Sequence, residues 1–359
     1  MHVAFYDPTI SFEENYKKGP PINFQNISLP HRKITQTEKF LGFDVNVPFG
    51  IPAGPLPNSK FIQAAFSFGF DILTYKTVRS DTFPSHPFPN ILYVDAPENL
   101  HPETTPRLIG RSETDAPIEM LSITNSFGVP SLSPSIWQED VKKSLQYVGH
   151  GQMLIVSFMG TTKENQTEAE FLANFATAAK LSMETGAKVL EVNLSCPNIG
   201  NEGLVCYNLE MTEKVLQTIR ATIGNLPLIV KVGYYKDQQQ LEKLAKIVSK
   251  YAQAIAAINT LQIEIVDEEG NQALPGKNRL RSGVCGACIK WAGLEMVEKL
   301  NKIRQEEKLS YEILGVGGVM TADDYFEYKK AGANGVQSAT GAMWNANLAH
   351  DIWKRTMHP

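Results

Sequence analysis

Residues 167–195 read "TEAEFLANFATAAKLSMETGAKVLEVNLS", and this stretch decides the fold class. Its first part predicts a helix over about 168–185, because Thr167 and Glu170 have the spacing of a capping box and Gly186 lies where a helix can end. Apolar residues recur on one face of that helix: Leu172, Phe175, Ala179 and Met183. The last part, 188–195, is a short and almost continuously apolar run, which is typical of a strand covered on both faces.

The same alternation of strand and helix extends in both directions along the chain. Further helices are predicted over 210–223, 237–251, 289–307 and from Thr321 to Gly332. Eight apolar runs are candidate strands: one ending near Gly54, and 71–78, 152–158, 188–195, 227–233, 254–260, 311–318 and 334–340. Repeated units of this kind favour an α/β fold, a parallel sheet closed into a (β/α)8 TIM barrel, with an open doubly wound sheet as the alternative.

Three stretches fall outside this rhythm. Residues 79–151 and 261–283 are longer than one helix requires, and we expect them to be loop insertions above the C-terminal face of the barrel. Residues 1–45 are polar and irregular, with "KKGPP" at 17–21, and are expected to form an N-terminal extension. The chain is therefore predicted to consist of this extension and one barrel domain over 46–359.

Composition narrows the class of partner. The 359 residues are 43% apolar, which indicates a folded core, and 34 basic against 38 acidic residues leave a formal charge of −4. That charge provides no strong field for nucleic acid or an anionic membrane, so a small molecule is the expected partner. No apolar run approaches the ~20 residues of a membrane-spanning helix. Four cysteines are too few for a disulfide framework, and we expect a cytoplasmic protein.

Polar residues at the carboxyl ends of barrel strands are expected to point into the site, because the interior below them is packed. The residues in that position are Lys76, Asn193, Cys196, Lys231, Asn259, Thr260, Gly317, Gly318 and the run from Gln337 to Thr340. Lysines inside apolar runs need an anion nearby, so Lys76 and Lys231 each predict a negatively charged ligand or else an internal salt bridge. Gly317 and Gly318 occupy the place where many barrels bind phosphate through main-chain N–H groups; a tight turn is the alternative.

The cysteines differ in their setting. Cys285 and Cys288 form "CGAC", the spacing of a redox dithiol or half a zinc site, but no second such pair exists, and we interpret them as small buried residues beside a turn. Cys196 instead follows a strand, precedes a proline and lies between Asn193 and Asn198. A thiol there can transfer a proton, and the two carboxamides can hold a flat polar molecule. Thiol nucleophilic catalysis is the alternative, but no motif places a histidine near this sulfur.

Several motifs, in order over roughly residues 46–345, resemble those of the dihydroorotate dehydrogenases, which are FMN-dependent enzymes of pyrimidine biosynthesis. They are "IPAGP" (51–55), "YKTV" (75–78), "NSFGVPS" (125–131), "EVNLSCPN" (191–198), "VKVGYY" (230–235), "INT" (258–260), "GVGGV" (315–319) and "VQSAT" (336–340). The resemblance implies oxidation of (S)-dihydroorotate to orotate with FMN as the cofactor, and no metal.

The resemblance also assigns residues to each ligand. FMN would be bound by Ala53, Gly54, Lys76, Thr77, Asn193, Lys231, Gly283, Gly286, Gly317, Gly318, Ala339 and Thr340. Dihydroorotate would be bound by Lys76, Asn125, Gly128, Val129, Asn193, Asn198, Asn259 and Thr260, with Lys76 near its carboxylate.

The chemistry of this reaction fits those residues. Oxidation removes a proton from C5 and a hydride from C6, so it needs a base on one face of the ring and flavin N5 on the other. Cys196 would be the base, and Lys231 would stabilise the negative charge that develops on the flavin as the hydride arrives.

Within the family, quinone-dependent members have serine at the cysteine position and an apolar N-terminal helix, so this chain resembles the soluble, cysteine-type members. Their electron acceptor is either fumarate, in a homodimer, or NAD through an iron–sulfur flavoprotein subunit. We favour fumarate and a homodimer here.

The chain also departs from the family pattern. The segment "HPFPN" at 86–90 lacks the arginine of the family's Asn-Pro-x-Pro-Arg, Phe127 replaces a methionine, Ala339 replaces a glycine, and the leader is longer than in soluble members. Two other functions stay open. One is a flavoenzyme resembling dihydropyrimidine dehydrogenase, although those enzymes tend to differ at Asn198 and use iron–sulfur clusters. The other is a flavin-binding protein without this catalysis.

Overall fold

The computed structural model describes residues 4–22, 32, 37–195 and 205–357. The described strands are β1 (Glu38–Phe40), β2 (Phe43–Val45), β3 (Phe49–Ile51), β4 (Ile72–Val78), β5 (Ile91–Val94), β6 (Arg107–Arg111), β7 (Ser122–Asn125), β8 (Met153–Phe158), β9 (Val189–Asn193), β10 (Leu228–Val232), β11 (Ala254–Ala257), β12 (Leu261–Val266), β13 (Arg281–Gly286), β14 (Glu312–Val316) and β15 (Gly335–Gln337). The described helices are α1 (Phe12–Lys18), α2 (Ser59–Ser67), α3 (Pro134–Leu145), α4 (Glu168–Met183), α5 (Leu209–Ile223), α6 (Gln238–Tyr251), α7 (Lys290–Glu306), α8 (Ala322–Ala331), α9 (Thr340–Trp344) and α10 (Leu348–Met357).

Eight parallel strands close into a barrel in chain order: β3, β4, β8, β9, β10, β11, β14 and β15, with β15 paired to β3. Each of the eight predicted strands is present, so the TIM barrel is confirmed and the open sheet is wrong. Thr167 and Thr321 are the N-cap residues of helices α4 and α8, and each helix has a complete capping box. Local helix signals and buried strands therefore agree with the closed architecture, as is expected of a chain whose local and global preferences coincide.

The barrel has two apolar layers. One cluster fills its interior and includes Ile155, Val189, Ile229 and Leu314, while a larger cluster packs the outer face of the strands against the helices. Hairpin β1–β2 places Phe40 in the interior cluster, next to the residues at the amino ends of the strands. The interior is thus a packed core, and the opening lies at the carboxyl ends.

Both long insertions contribute to a second closed sheet of five strands, in the order β12-β13-β7-β5-β6. Strands β5, β6 and β7 come from the first insertion, and β13, from the second, pairs with β7 so that Gly283 lies opposite Asn125. Their location in insertions is as predicted, but the sheet itself is not, because the pairings of β12 with β6 and of β13 with β7 join segments that are distant in the chain.

The described part of the N-terminal extension packs on the barrel. Helix α1 begins with a capping box at Ser11 and Glu14, and Phe5 is fully buried, with its ring edge against Phe68 and Phe70. The sequence predicts an extension here, but not its helix or its buried aromatic rings.

Candidate active site

A cavity of about 1090 Å³, measured to its open mouth, lies at the carboxyl ends of the barrel strands and beneath the five-stranded sheet. Most of the residues that the sequence assigns to ligands line it: Ala53, Gly54, Lys76, Thr77, Asn125, Val129, Asn193, Lys231, Asn259, Thr260, Gly286, Gly317, Gly318, Ala339 and Thr340.

Four assigned residues are not among those that line the cavity. Cys196 and Asn198 lie outside the described residues. Gly128 packs on His86, whose ring would be 2.6 Å from an added Cβ, and Gly283 lies under Thr260, whose Oγ1 would be 2.3 Å from one. A side chain therefore has no room at Gly128 or Gly283, and their assignment to ligands stays a prediction.

Asn193 and Asn259 hold the same residue, Ser195. The Asn193 side chain accepts a hydrogen bond from the Ser195 N–H at 3.1 Å, and the Asn259 side chain donates to the Ser195 carbonyl at 2.9 Å. Both asparagines line the cavity. The main chain immediately before Cys196 is therefore fixed at the cavity edge by two of the predicted substrate residues.

Asn125 ends strand β7 and reaches the cavity from the opposite side. Its Nδ2 lies 3.4 Å from the sulfur of Cys285, and the Thr340 hydroxyl lies 3.5 Å from the same sulfur. Burial raises the pKa of the Cys285 thiol above its usual range, and it raises the pKa of Cys288 to about 12. These two thiols stay protonated at neutral pH, which agrees with their interpretation as packing residues.

The barrel lysines are both buried and both line the cavity. Lys231 has Glu191, two residues before Asn193 on the neighbouring strand, as an electrostatic partner. Burial lowers the pKa of Lys231 and raises that of Glu191, and each opposes the shift of the other. For Lys231 the structure thus contains the internal carboxylate that the sequence analysis gave as the alternative to an anionic ligand.

Glu191 is 1% exposed and points into the barrel below the cavity, and its Oε2 has no hydrogen-bond partner among the described residues. The nearby Ser157 hydroxyl lies 3.0 Å from that of Thr77. Gln337 also lies below the cavity, and its side chain donates to Thr74 and to two strand carbonyls. Gln337 follows an apolar strand, as the cavity residues do, but it belongs to the packed interior.

The turn after β14 and the end of β13 bring glycines to the cavity in left-handed conformations. Gly317 and Gly318 have φ of 129° and 66°, and Gly286 has φ of 102°. A Cβ on Gly318 would lie 2.6 Å from the Lys290 backbone, and one on Gly286 would lie 2.3 Å from the Leu121 carbonyl. Gly318 and Gly286 therefore need glycine for both conformation and space, and Gly317 needs it for conformation.

Several cavity residues were not predicted from the sequence. They are mostly apolar: Tyr6, Pro52, Pro55, Ile91, Ile123, Phe127, Ile258, Cys285, Ile289, Val316, Val319, Met320 and Met343. Tyr6 comes from the N-terminal extension and contacts the Phe127 ring edge-on. Apolar wall residues have no sequence signal that separates them from core residues, and Tyr6 is far from every motif.

The described residues contain neither a metal-binding cluster nor a helix that could span a membrane. No three His, Cys, Asp or Glu side chains come together there as a group that could hold a metal ion. Likewise, none of the described helices has the length and apolarity that crossing a membrane requires.

Comparison with known proteins is consistent across the chain. The dihydroorotate dehydrogenase family model matches residues 101–357. A dihydroorotate dehydrogenase of Dictyostelium discoideum is 33% identical, covering 97% of this chain and 96% of that protein.

Two bacterial relatives match over shorter spans. One is dihydroorotate dehydrogenase A (fumarate) of Lactococcus lactis, 28% identical over 62% of this chain and 68% of its own. The other is the catalytic subunit of dihydroorotate dehydrogenase B (NAD(+)) of Maridesulfovibrio salexigens, 30% identical over 52% of this chain and 58% of its own. With the barrel and the cavity residues in place, these matches show that the chain belongs to the dihydroorotate dehydrogenase family.

Proposed function

We propose that this protein oxidises (S)-dihydroorotate to orotate with bound FMN, as a step of pyrimidine biosynthesis. The observation that carries the proposal is the convergence of Lys76, Lys231, Asn125, Asn193 and Asn259 on one cavity. These residues come from five different strands or strand ends, and a planar, anionic, amide-rich substrate needs this set of donors and acceptors.

The cavity fits FMN on the chemistry of its walls. The position of a Cβ on Gly54 has no atom within 4 Å, so the main chain there is open to a flat ligand. Apolar side chains such as Ile258 and Val316 line the space between the lysines and the glycine turns. Ala339 and Thr340 lie beside Gly317 and Gly318 in the same wall, and we assign the phosphate to this group. When bound, FMN would supply the acceptor for the hydride from C6.

The chain's own residues then bind and orient the substrate. Lys76 is expected to hold the carboxylate, because it is a buried cation at the end of its strand. Asn125 and Asn259 are assigned to the amide groups of the ring, which offer matching donors and acceptors. Lys231 presents a second cation to the same space.

The base is assigned to Cys196. Support comes from Ser195, the residue before it in the chain, which Asn193 and Asn259 of the cavity wall hold by hydrogen bonds. The described cysteines are poor candidates, because burial raises the pKa of Cys206 and of Cys288 to about 12 and also raises that of Cys285. Asn198 is assigned to the substrate on the family motif.

We further propose fumarate as the electron acceptor, a homodimer in the cytoplasm, and a division into an extension (1–45) and an FMN-binding barrel (46–359). One of the relatives is named for fumarate and another for NAD(+), so the acceptor needs a direct test.

The test is anaerobic mixing of the FMN-loaded protein with dihydroorotate, followed by fumarate, NAD and a quinone in separate samples. We expect dihydroorotate to bleach the flavin and fumarate to restore its colour. Dihydrouracil, which lacks the carboxylate, should bleach it far more slowly; the reverse preference would favour dihydropyrimidine dehydrogenase chemistry. Bound flavin that neither compound reduces would indicate a flavin-binding protein without this catalysis, and failure to take up FMN would refute the flavin assignment.

A further inference from the structure

The loop that follows β7, residues 126–131, has an unusual backbone. Gly128 and Val129 are consecutive residues with left-handed φ of 77° and 52°. Valine is β-branched and disfavours this conformation, so the surroundings must impose it. The loop also reaches the cavity, which Phe127 and Val129 both line.

Arg79, just after β4, binds both left-handed residues. Its Nε donates to the Val129 carbonyl at 3.0 Å, and its Nη2 lies 3.3 Å from the Gly128 carbonyl. The same guanidinium reaches Thr161 at 3.1 Å and stacks over the Phe83 ring, 4.0 Å from its centroid. Arg79 therefore connects the strained turn to the barrel wall on one side.

Arg279 binds the other end of the loop. Its Nε donates to the Ser126 hydroxyl at 3.2 Å, and its Nη2 donates to the Ser126 carbonyl at 3.0 Å. It also donates to the carbonyls of Pro87 and Pro89, at 2.8 and 3.0 Å, and to that of Pro275. The guanidinium that contacts the segment "HPFPN", which lacks its own arginine, thus comes from the second insertion.

Both arginines are 2% exposed. A guanidinium has five N–H donors in a rigid plane and can satisfy carbonyls from several segments at once, whereas an ammonium has a single nitrogen. Neither arginine is among the residues that line the cavity. Their hydrogen bonds fix the loop main chain, and the loop in turn presents Phe127 and Val129 to a ligand.

We propose that Arg79 and Arg279 are positioning residues that clamp the loop 126–131 at two points, its left-handed turn and its first residue, and thereby set the affinity for the substrate. The loop-clamping part stands on the contacts alone, and the substrate part rests on the proposed function. Arg79 holds the left-handed turn, and Arg279 holds its entry.

The test compares Arg79→Lys and Arg279→Lys with Arg220→Lys in the FMN-loaded protein. Arg220 is a matched control, since it donates to the carbonyls of Tyr251, Gly224 and Leu226 on the far side of the helical layer. The first readout is amide hydrogen exchange, without substrate, at Ser131 and His86. The Ser131 N–H donates to the Phe83 carbonyl, and the His86 N–H donates to the Phe127 carbonyl of the loop. The second readout is the split between KM and kcat for dihydroorotate.

We expect exchange at these amides to rise about tenfold in each clamp variant, and the KM to rise about tenfold with kcat within a factor of two. Arg220→Lys should change neither. Glycine accepts the left-handed conformation, so adding Val129→Gly to Arg79→Lys should reduce the increase in exchange. The double variant can replace Arg79→Lys if the single variant folds poorly.

Unchanged exchange in both clamp variants overturns the proposal, as does raised exchange with an unchanged KM. A wild-type protein that does not oxidise dihydroorotate refutes the proposed function instead. The exchange data then still test whether the two arginines hold the loop 126–131.

Discussion

Two buried carboxylates at opposite ends of the barrel are treated differently by the fold. Asp71, just before β4, accepts hydrogen bonds from Arg32, from the Val47 N–H at 3.0 Å and from Gln152 at 3.3 Å, and its ion pair with Arg32 measures 2.6 Å. Glu191, below the cavity and two residues before the end of β9, has one oxygen without a partner in the described chain, and its burial is offset by the charge of Lys231 and a hydrogen bond from Ser157.

The difference indicates that the amino end of the barrel contributes to stability and the carboxyl end to ligand binding. At the amino end, the polar groups around Asp71 tie the extension, a strand entrance and a loop together. At the carboxyl end, a barrel positions groups for a ligand and leaves their bonding incomplete. Substitutions at the amino end should therefore change the free energy of unfolding, and substitutions at the carboxyl end should mainly change ligand affinity.

The largest effect is expected from Asp71→Ala. Its removal leaves the Arg32 cation and two other donors without their acceptor, which should lower the free energy of unfolding by about 3–5 kcal/mol. The folded fraction should keep its FMN affinity and its KM. Chemical denaturation monitored by circular dichroism measures the free energy of unfolding. FMN titration and steady-state kinetics of the folded protein measure the FMN affinity and the KM.

The control at the same end is Asp44→Ala. Asp44 forms an exposed ion pair with Lys39 at 2.8 Å, and its loss should leave the unfolding midpoint unchanged. Equal destabilisation by the two variants, or lost flavin affinity in folded Asp71→Ala, would contradict the division between the ends.

A smaller effect at the mouth is expected from Gly318→Ala. The added Cβ meets the Lys290 backbone at 2.6 Å, so the turn that lines the cavity must shift, and the Kd for FMN should rise about 10- to 100-fold. Gly186→Ala is the matched control, because Gly186 has φ of 87° but open space around its Cβ. It should lose some stability and keep FMN affinity, as fluorescence titration of FMN would show.

The smallest effect, and one of opposite sign, is expected from Glu191→Gln. Because burial raises the pKa of Glu191 above 4.5, the folded protein holds this proton more tightly than the unfolded chain does. The carboxyl's contribution to stability is therefore present below pH 4.5 and lost as pH rises through the raised pKa. Glutamine does not titrate, so the variant should match wild type in Tm below pH 4.5 and exceed it once the pH rises through the raised pKa. A variant less stable at pH 8 would show that the ionised pair with Lys231 is stabilising.

The two halves of the cavity wall were not equally predictable. Lys76, Asn193, Lys231 and Asn259 follow apolar strands, and the parallel barrel rule converts that local pattern into a position in space. The five-stranded sheet follows no such rule, because β7 and β13 pair across a long stretch of chain.

The buried arginines show the same limit. Nothing in the sequence near Arg79 or Arg279 indicates burial. Their acceptors include the main-chain carbonyls of Val129 and Pro87, and every residue has a carbonyl whatever its type. Gly283 and Gly128 were assigned to ligands on motif position, and the sequence did not show that an added Cβ at either would meet a neighbouring side chain.

We propose that a thiol at position 196 removes a proton while FMN accepts a hydride in the same cavity. Rapid anaerobic mixing of dihydroorotate with FMN-loaded wild type, Cys196→Ala and Cys196→Ser measures it most directly. We expect Cys196→Ala to keep the yellow flavin spectrum while bleaching slows by about 10²- to 10⁴-fold, and Cys196→Ser to retain part of the rate. Bleaching of Cys196→Ala at the wild-type rate would contradict the account.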